Sequence, residues 1–146
     1  MEYKKALYEI EKIISKSKNV LENIVEFLYK NFDYYSWVGI YIVKGNYLIL
    51  GPWSGSKATE HKKIPIGVGI CGSAVATGKT EIIADVTSDS RYLSCFLSTK
   101  SEIVVPIKKE GKVVGEIDID SDITNAFKKE DKSFLEKIAD MLSEHI

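Results

Sequence analysis

Ser101–Ser121 reads SEIVVPIKKEGKVVGEIDIDS. Two apolar runs meet at Glu110-Gly111, and this spacing predicts paired antiparallel strands, Ser101 to Ile107 and Lys112 to Asp120. The same strands carry Glu102, Asp118 and Asp120. A buried charge that loses its partner costs roughly 3 to 5 kcal/mol, so carboxylates inside apolar strands either meet buried cations or await a cationic ligand. The second outcome marks a binding site for a small, positively charged molecule.

Outward from this hairpin, Tyr35 to Val43 also follows the two-residue period of a strand. Gly45-Asn46 separates it from Tyr47 to Leu50, which predicts another hairpin. A short strand is expected near Ile64 to Ile66, and a short helix from Ile70 to Thr77 with Gly78 as its C-cap. Thr87 to Lys100 has turn formers at both ends and reads as a loop with one helical turn. The ends are helical. Tyr3, Ala6, Leu7, Ile10, Ile13 and Ile14 form one stripe, Val20, Leu21, Ile24, Val25 and Leu28 a second, and Phe134, Leu135, Ile138, Ala139 and Leu142 a third. The expected architecture is α+β, an antiparallel sheet with N- and C-terminal helices packed on one face. The expected organisation is one domain over 1–146: a helical N-terminal segment at 1–31, a sheet-containing core at 34–121 and a closing helix at 131–145.

The chain has 146 residues, 45% of them apolar, with a net charge of -1. Its charges are dispersed, which argues against nucleic acid as a partner because phosphate neutralisation needs a basic patch. No apolar run approaches the roughly 20 residues that span a bilayer, so no membrane partner is expected. The N-terminus MEYKKALYEI has charges where a secretory leader has its apolar core, which predicts a cytoplasmic protein with free thiols.

Strand alternation sorts the functional candidates. Val38, Ile40 and Ile42 are expected to face the helices, and Trp37, Gly39 and Tyr41 the opposite side. The same rule places Val113, Gly115, Ile117 and Ile119 inward and Val114, Glu116, Asp118 and Asp120 on the second face. Aromatic rings with carboxylates are the groups that hold an ammonium. An open polar sheet face is the plain alternative.

Gly67 to Gly72, GVGICG, matches the dinucleotide pattern GxGxxG but lacks its strand–helix–strand setting, and the approach to a P-loop at Gly78-Lys79-Thr80 fails on spacing. These glycines instead suit a tight turn bringing backbone amides near a ligand anion. Cys71 lies at the helix N-terminus, where its thiol is either acidified or simply packed. Cys95, between Arg91 and Lys100, is the better nucleophile candidate, since nearby positive charge favours a thiolate. His61 and His145 have no partner at ligand spacing, and no metal site is expected.

Trp37 to Tyr41 (WVGIY), Leu50-Gly51-Pro52, GVGICGSAVA, SEIVVP and GEIDIDS, in this order, resemble the GAF-domain free methionine-(R)-sulfoxide reductases over about residues 34 to 140. The resemblance implies a GAF fold and reduction of free methionine-(R)-sulfoxide. By position it makes Cys95 the catalytic cysteine and Cys71 a second one. Trp37, Tyr41, Glu102, Asp118 and Asp120 would then line the substrate pocket. It further implies a Cys95 sulfenic acid, no bound cofactor, and an external thiol reductant such as thioredoxin or a small dithiol. GAF domains often pair through their terminal helices, which gives a homodimer as the expected assembly. One departure stands out. The family usually has a further cysteine before the glycine-rich segment, and SGSKATEHKK has none. Resolution then falls to Cys71 or to an external thiol. The alternative function is a non-catalytic GAF module that binds an amino-acid-like ligand for sensing.

Overall fold

The computed structural model describes residues 1–146 apart from Ser94, Cys95 and Leu97. Its elements run α1 (Tyr3–Lys16), α2 (Val20–Asn31), β1 (Trp37–Lys44), β2 (Tyr47–Gly55), β3 (Lys63–Pro65), α3 (Gly69–Thr77), β4 (Glu81–Ile83), β5 (Ser101–Lys109), β6 (Lys112–Ser121) and α4 (Lys129–Leu142). All six strands form one sheet in the order β3-β2-β1-β6-β5-β4, and every neighbouring pair is antiparallel. The expected hairpins form as β1–β2 and β5–β6. The second turns at Glu110 and Gly111, with φ of 53° and 79°, the two positive values that a two-residue turn joining twisted strands requires.

Helices α1, α2 and α4 cover one face. Their buried residues, among them Ile10, Ile24, Leu28, Phe134, Leu135 and Ile138, pack with Val38, Ile40, Ile103, Val105, Ile117 and Ile119 of the sheet. Each such side chain contributes roughly 1.5 to 3 kcal/mol when fully buried. The start of α4 is fastened to this layer by Asp131. Its carboxylate accepts from the Tyr34 and Tyr35 hydroxyls at 2.6 and 2.7 Å and from the Lys128 backbone N–H at 2.9 Å. Two aromatic hydroxyls and a helix cap thus converge on one buried acid.

The opposite face is covered by α3 and by segments either side of it. There Trp37, Tyr41, Leu48, Ile64, Ile70, Cys71, Ala74 and Val104 form a second cluster. The expected division of β1 holds. In β6 it holds from Gly115 onward but reverses before it: Val114 packs with the helical layer and Val113 with the second cluster. The pairing explains this, because Ile107 faces Gly115 while Lys108 faces Val113. The extra residue in β6 is a bulge, which turns the preceding side chains over. The edge strand β4 was not expected from its three-residue length.

Candidate active site

Pairing register assembles the site. Across β1 and β6, Trp37 lies opposite Asp120, Gly39 opposite Asp118 and Tyr41 opposite Glu116. Across β5 and β6, Glu102 lies opposite Asp120. Helix α3, packed over β5 and β6, adds Cys71. Five of the expected residues besides Cys71, namely Trp37, Tyr41, Glu102, Asp118 and Asp120, therefore share one side of the sheet. Cys95 lies outside the described residues.

Four carboxyls are buried here. Glu116 is 0% exposed, Asp120 3%, Asp118 4% and Glu102 5%. No ion pair formed among the described residues involves them. Both oxygens of Glu116 and one each of Asp118 and Asp120 lack a hydrogen bond of good geometry among the described residues, although the Cys71 thiol interacts with Glu116 and Asp118 and offsets part of the effect of burial. Burial raises all four pKa values above the ordinary carboxylate range, and the negative charge of Asp118 adds to this for Glu102, Glu116 and Asp120. Such a cluster stores unfavourable free energy that a cation would relieve.

The Cys71 thiol is also pushed up, first by burial and then by Asp118, Glu116 and Glu102. Of the two outcomes expected for this thiol, packing holds and acidification does not, since desolvation and negative neighbours outweigh a partial positive dipole end. The turn itself takes up three of the amides expected near a ligand anion. The amides of Gly67, Val68 and Gly72 donate within the turn, to Gly72 O, Pro65 O and Val68 O at 2.9, 3.1 and 3.0 Å. Arg91, the positive charge expected near Cys95, is held by Asp89 and by Glu81 at 2.8 to 3.1 Å.

Trp37 forms one wall. Its indole lies so close over β1 and β2 that a Cβ on Gly39 would come within 2.2 Å of the ring, and one on Gly55 within 2.5 Å. Trp53 stacks against it at 6.3 Å between ring centroids, and Phe96 lies at 6.0 Å. Trp37, Phe96, Lys57, Thr99 and Asp120 line a cavity of about 360 Å³, within the range that holds small ligands. A smaller cavity of about 20 Å³ reaches Tyr41, His61, Cys71, Glu102 and Asp118. The Tyr41 hydroxyl donates to the backbone carbonyl of His61 at 2.7 Å, fixing the ring.

Glu116 is the member of the cluster that sequence reasoning did not select. Alternation placed it on this face with Asp118 and Asp120, which was the available signal.

The model of the GAF domain family matches residues 18–146. The free methionine-R-sulfoxide reductase of Escherichia coli strain K12 is 34% identical over 122 residues, covering 84% of this chain and 73% of that protein. Among solved structures, the type II free methionine-R-sulfoxide reductase of Thermoplasma acidophilum superposes with a TM-score of 0.84 at 38% identity, over 90% of this chain and 93% of that one. The Neisseria meningitidis free methionine-R-sulfoxide reductase, solved in complex with its substrate, gives 0.90 at 32% identity, over 97% and 86%. With this fold, these relatives and a buried carboxyl cluster facing Trp37 and Tyr41, the chain belongs to the GAF-domain free methionine-(R)-sulfoxide reductase family.

Proposed function

We propose that this protein reduces free L-methionine-(R)-sulfoxide to methionine, with Cys95 as nucleophile and the second sheet face as the substrate pocket. The observation that carries the reading is the set of four buried carboxyls that form no ion pair among the described residues, beside two aromatic walls. A free amino acid supplies the missing ammonium, whereas a peptide-bound residue does not. Asp118 and Asp120 take that ammonium as carboxylates once it enters, because an adjacent positive charge favours their ionised form. Trp37 and Tyr41 flank the side chain.

Glu102 keeps its proton, because burial and the charges of Asp118 and Asp120 hold its pKa up. It donates that proton to the sulfoxide oxygen, making the sulfur electrophilic. The Cys95 thiolate attacks this sulfur, and oxygen passes to Cys95. Methionine leaves with its sulfur reduced by two electrons, and the cysteine sulfur, oxidised by two, becomes a sulfenic acid. A second thiol condenses with it, releasing water and leaving a disulfide that an external dithiol such as thioredoxin reopens. Cys71 is the candidate second thiol within the chain. Its raised pKa keeps it protonated while Cys95 reacts, so the two cysteines do not compete for the sulfoxide.

The test is methionine release from free methionine-(R)-sulfoxide with a dithiol reductant, in the native protein, Cys95→Ser and Cys71→Ser. Loss of release in Cys95→Ser is the expected result. Stoichiometric release in Cys71→Ser, without reductant, would separate attack from resolution. Native protein that binds the sulfoxide and releases no methionine would return the reading to a sensing module.

A further inference from the structure

The sequence has no zinc-ligand spacing, yet the fold brings a thiol and two carboxyls to one point. Cys71 of α3, Glu102 of β5 and Asp118 of β6 each offer one ligand atom, and these atoms all lie within 4.8 Å of one another. They line the cavity of about 20 Å³, room for a single water-sized or ionic guest. Asp118 is buried and its Oδ1 lacks a hydrogen bond of good geometry among the described residues. An oxygen without a hydrogen bond of good geometry, on a buried carboxyl that lines a cavity, is a ligand position as well as a cost.

The donor set selects the ion. A thiolate with two carboxylate oxygens suits a borderline-soft divalent metal, and magnesium or calcium would require more oxygens and more room. Metal–sulfur and metal–oxygen bonds of about 2.3 and 2.1 Å place tetrahedral ligand atoms roughly 3.5 Å apart. Side-chain torsions covering little more than an ångström close the cluster onto the metal. We propose that Cys71, Glu102 and Asp118 form a binding site for a divalent cation of the zinc class, with the fourth position open, and that this cation excludes the ammonium of the substrate.

Binding is ligand exchange without redox change: the thiol and any protonated carboxyl release their protons to solvent as the metal takes their place. Zinc thereby caps Cys71 and holds the carboxyls ionised, an inhibited form of the protein. The metal site stands independently of the reductase reading, whereas the competition rests on it.

The probe is Co²⁺ added to the reduced full-length protein, read by its thiolate-to-metal absorption, with Zn²⁺ displacing it and calorimetry counting the ions. One ion per chain is expected. The thiolate band should be absent in Cys71→Ser and retained in Cys95→Ser, and Asp118→Asn should weaken binding by about 100-fold, the upper end of the loss caused by removing even a supporting partner. A band that persists in Cys71→Ser, disappears in Cys95→Ser, or is unchanged in affinity in Asp118→Asn overturns the site. In Cys95→Ser, where no turnover can oxidise Cys71, free methionine sulfoxide should displace the cobalt, and persistence of the band at saturating sulfoxide overturns the competition. Displacement in Cys95→Ser together with no methionine released by the native protein would count against the reductase reading while leaving the metal site in place.

Discussion

Glu116→Gln tests whether the buried carboxyls hold the stored free energy assigned to them. Glu116 is fully buried with neither oxygen in a hydrogen bond of good geometry among the described residues, and its pKa is raised well above the ordinary value, by burial first and by the charge of Asp118 second, with the Cys71 thiol offsetting part of the rise. The sign follows from proton counting. Between the unfolded value near 4.3 and the raised folded value, the folded chain binds the proton that the unfolded chain has lost, so stability falls as pH rises. The contribution is intact below the unfolded value and declines throughout this window. Each pH unit within it costs about 1.4 kcal/mol for this one group.

The amide cannot titrate, so stabilities of the native protein and Glu116→Gln, measured by urea unfolding without ligand, should not run parallel. Their difference should change by about 1.4 kcal/mol from pH 5 to pH 6, in favour of the variant. A buried amide carries its own desolvation cost, which shifts the variant's curve without tilting it. Glu116→Leu removes both costs and should be more stable than the native protein at pH 7, by about 1 to 4 kcal/mol as when apolar residues replace buried charge. Parallel curves for native and Gln proteins would show that Glu116 ionises freely in the folded state and would refute the reasoning.

Gly39→Ala places a methyl group 2.2 Å from the Trp37 ring; overpacking of about 1 to 3 kcal/mol should displace the indole, shift tryptophan fluorescence and raise KM for the sulfoxide more than it lowers kcat. In Gly72→Ala the new Cβ would lie 2.7 Å from the Pro65 carbonyl oxygen, so the turn beside Cys71 should open, with slower resolution in a dithiol-free turnover assay and little change in the first methionine released. Asp131→Asn weakens three hydrogen bonds made far from the pocket and should lose about 2 to 3 kcal/mol in denaturant unfolding while sulfoxide affinity is kept.

Alternation carried the sequence reading furthest. In β1 and in β6 beyond Gly115 the polar–apolar period of two names the residues of each face, because the side chains of a regular strand have only two directions. The same rule failed at Val113 and Val114, where a bulge changes parity without altering composition. The direction of the Cys71 pKa shift was also illegible. A helix N-terminus is visible in sequence, but the three carboxyls that outweigh it come from β5 and β6, at least 31 residues further along the chain. Glu116 went unselected for a related reason: nothing local distinguishes a buried glutamate from an exposed one until the covering helix is placed over it.

The two sheet faces carry opposite energetic roles. The helical face buries continuous aliphatic and aromatic surface without a carboxyl from the sheet, and Asp131, the acid it does contain, is satisfied by three donors. The second face buries four carboxyls and leaves several oxygens without a hydrogen bond of good geometry among the described residues. A chain selected for stability alone would place leucine or valine at these positions, as it does at Val104 beside them. That difference is sustained only while the helical layer supplies a surplus of hydrophobic burial. Free energy withheld from the pocket during folding then becomes available to the cation that enters it, because the same groups that cost stability when protonated and dry gain a charge-assisted partner on binding. On the proposed function, affinity for a small cation and lost stability at neutral pH are two readings of one feature, and substitutions that raise stability should lower affinity.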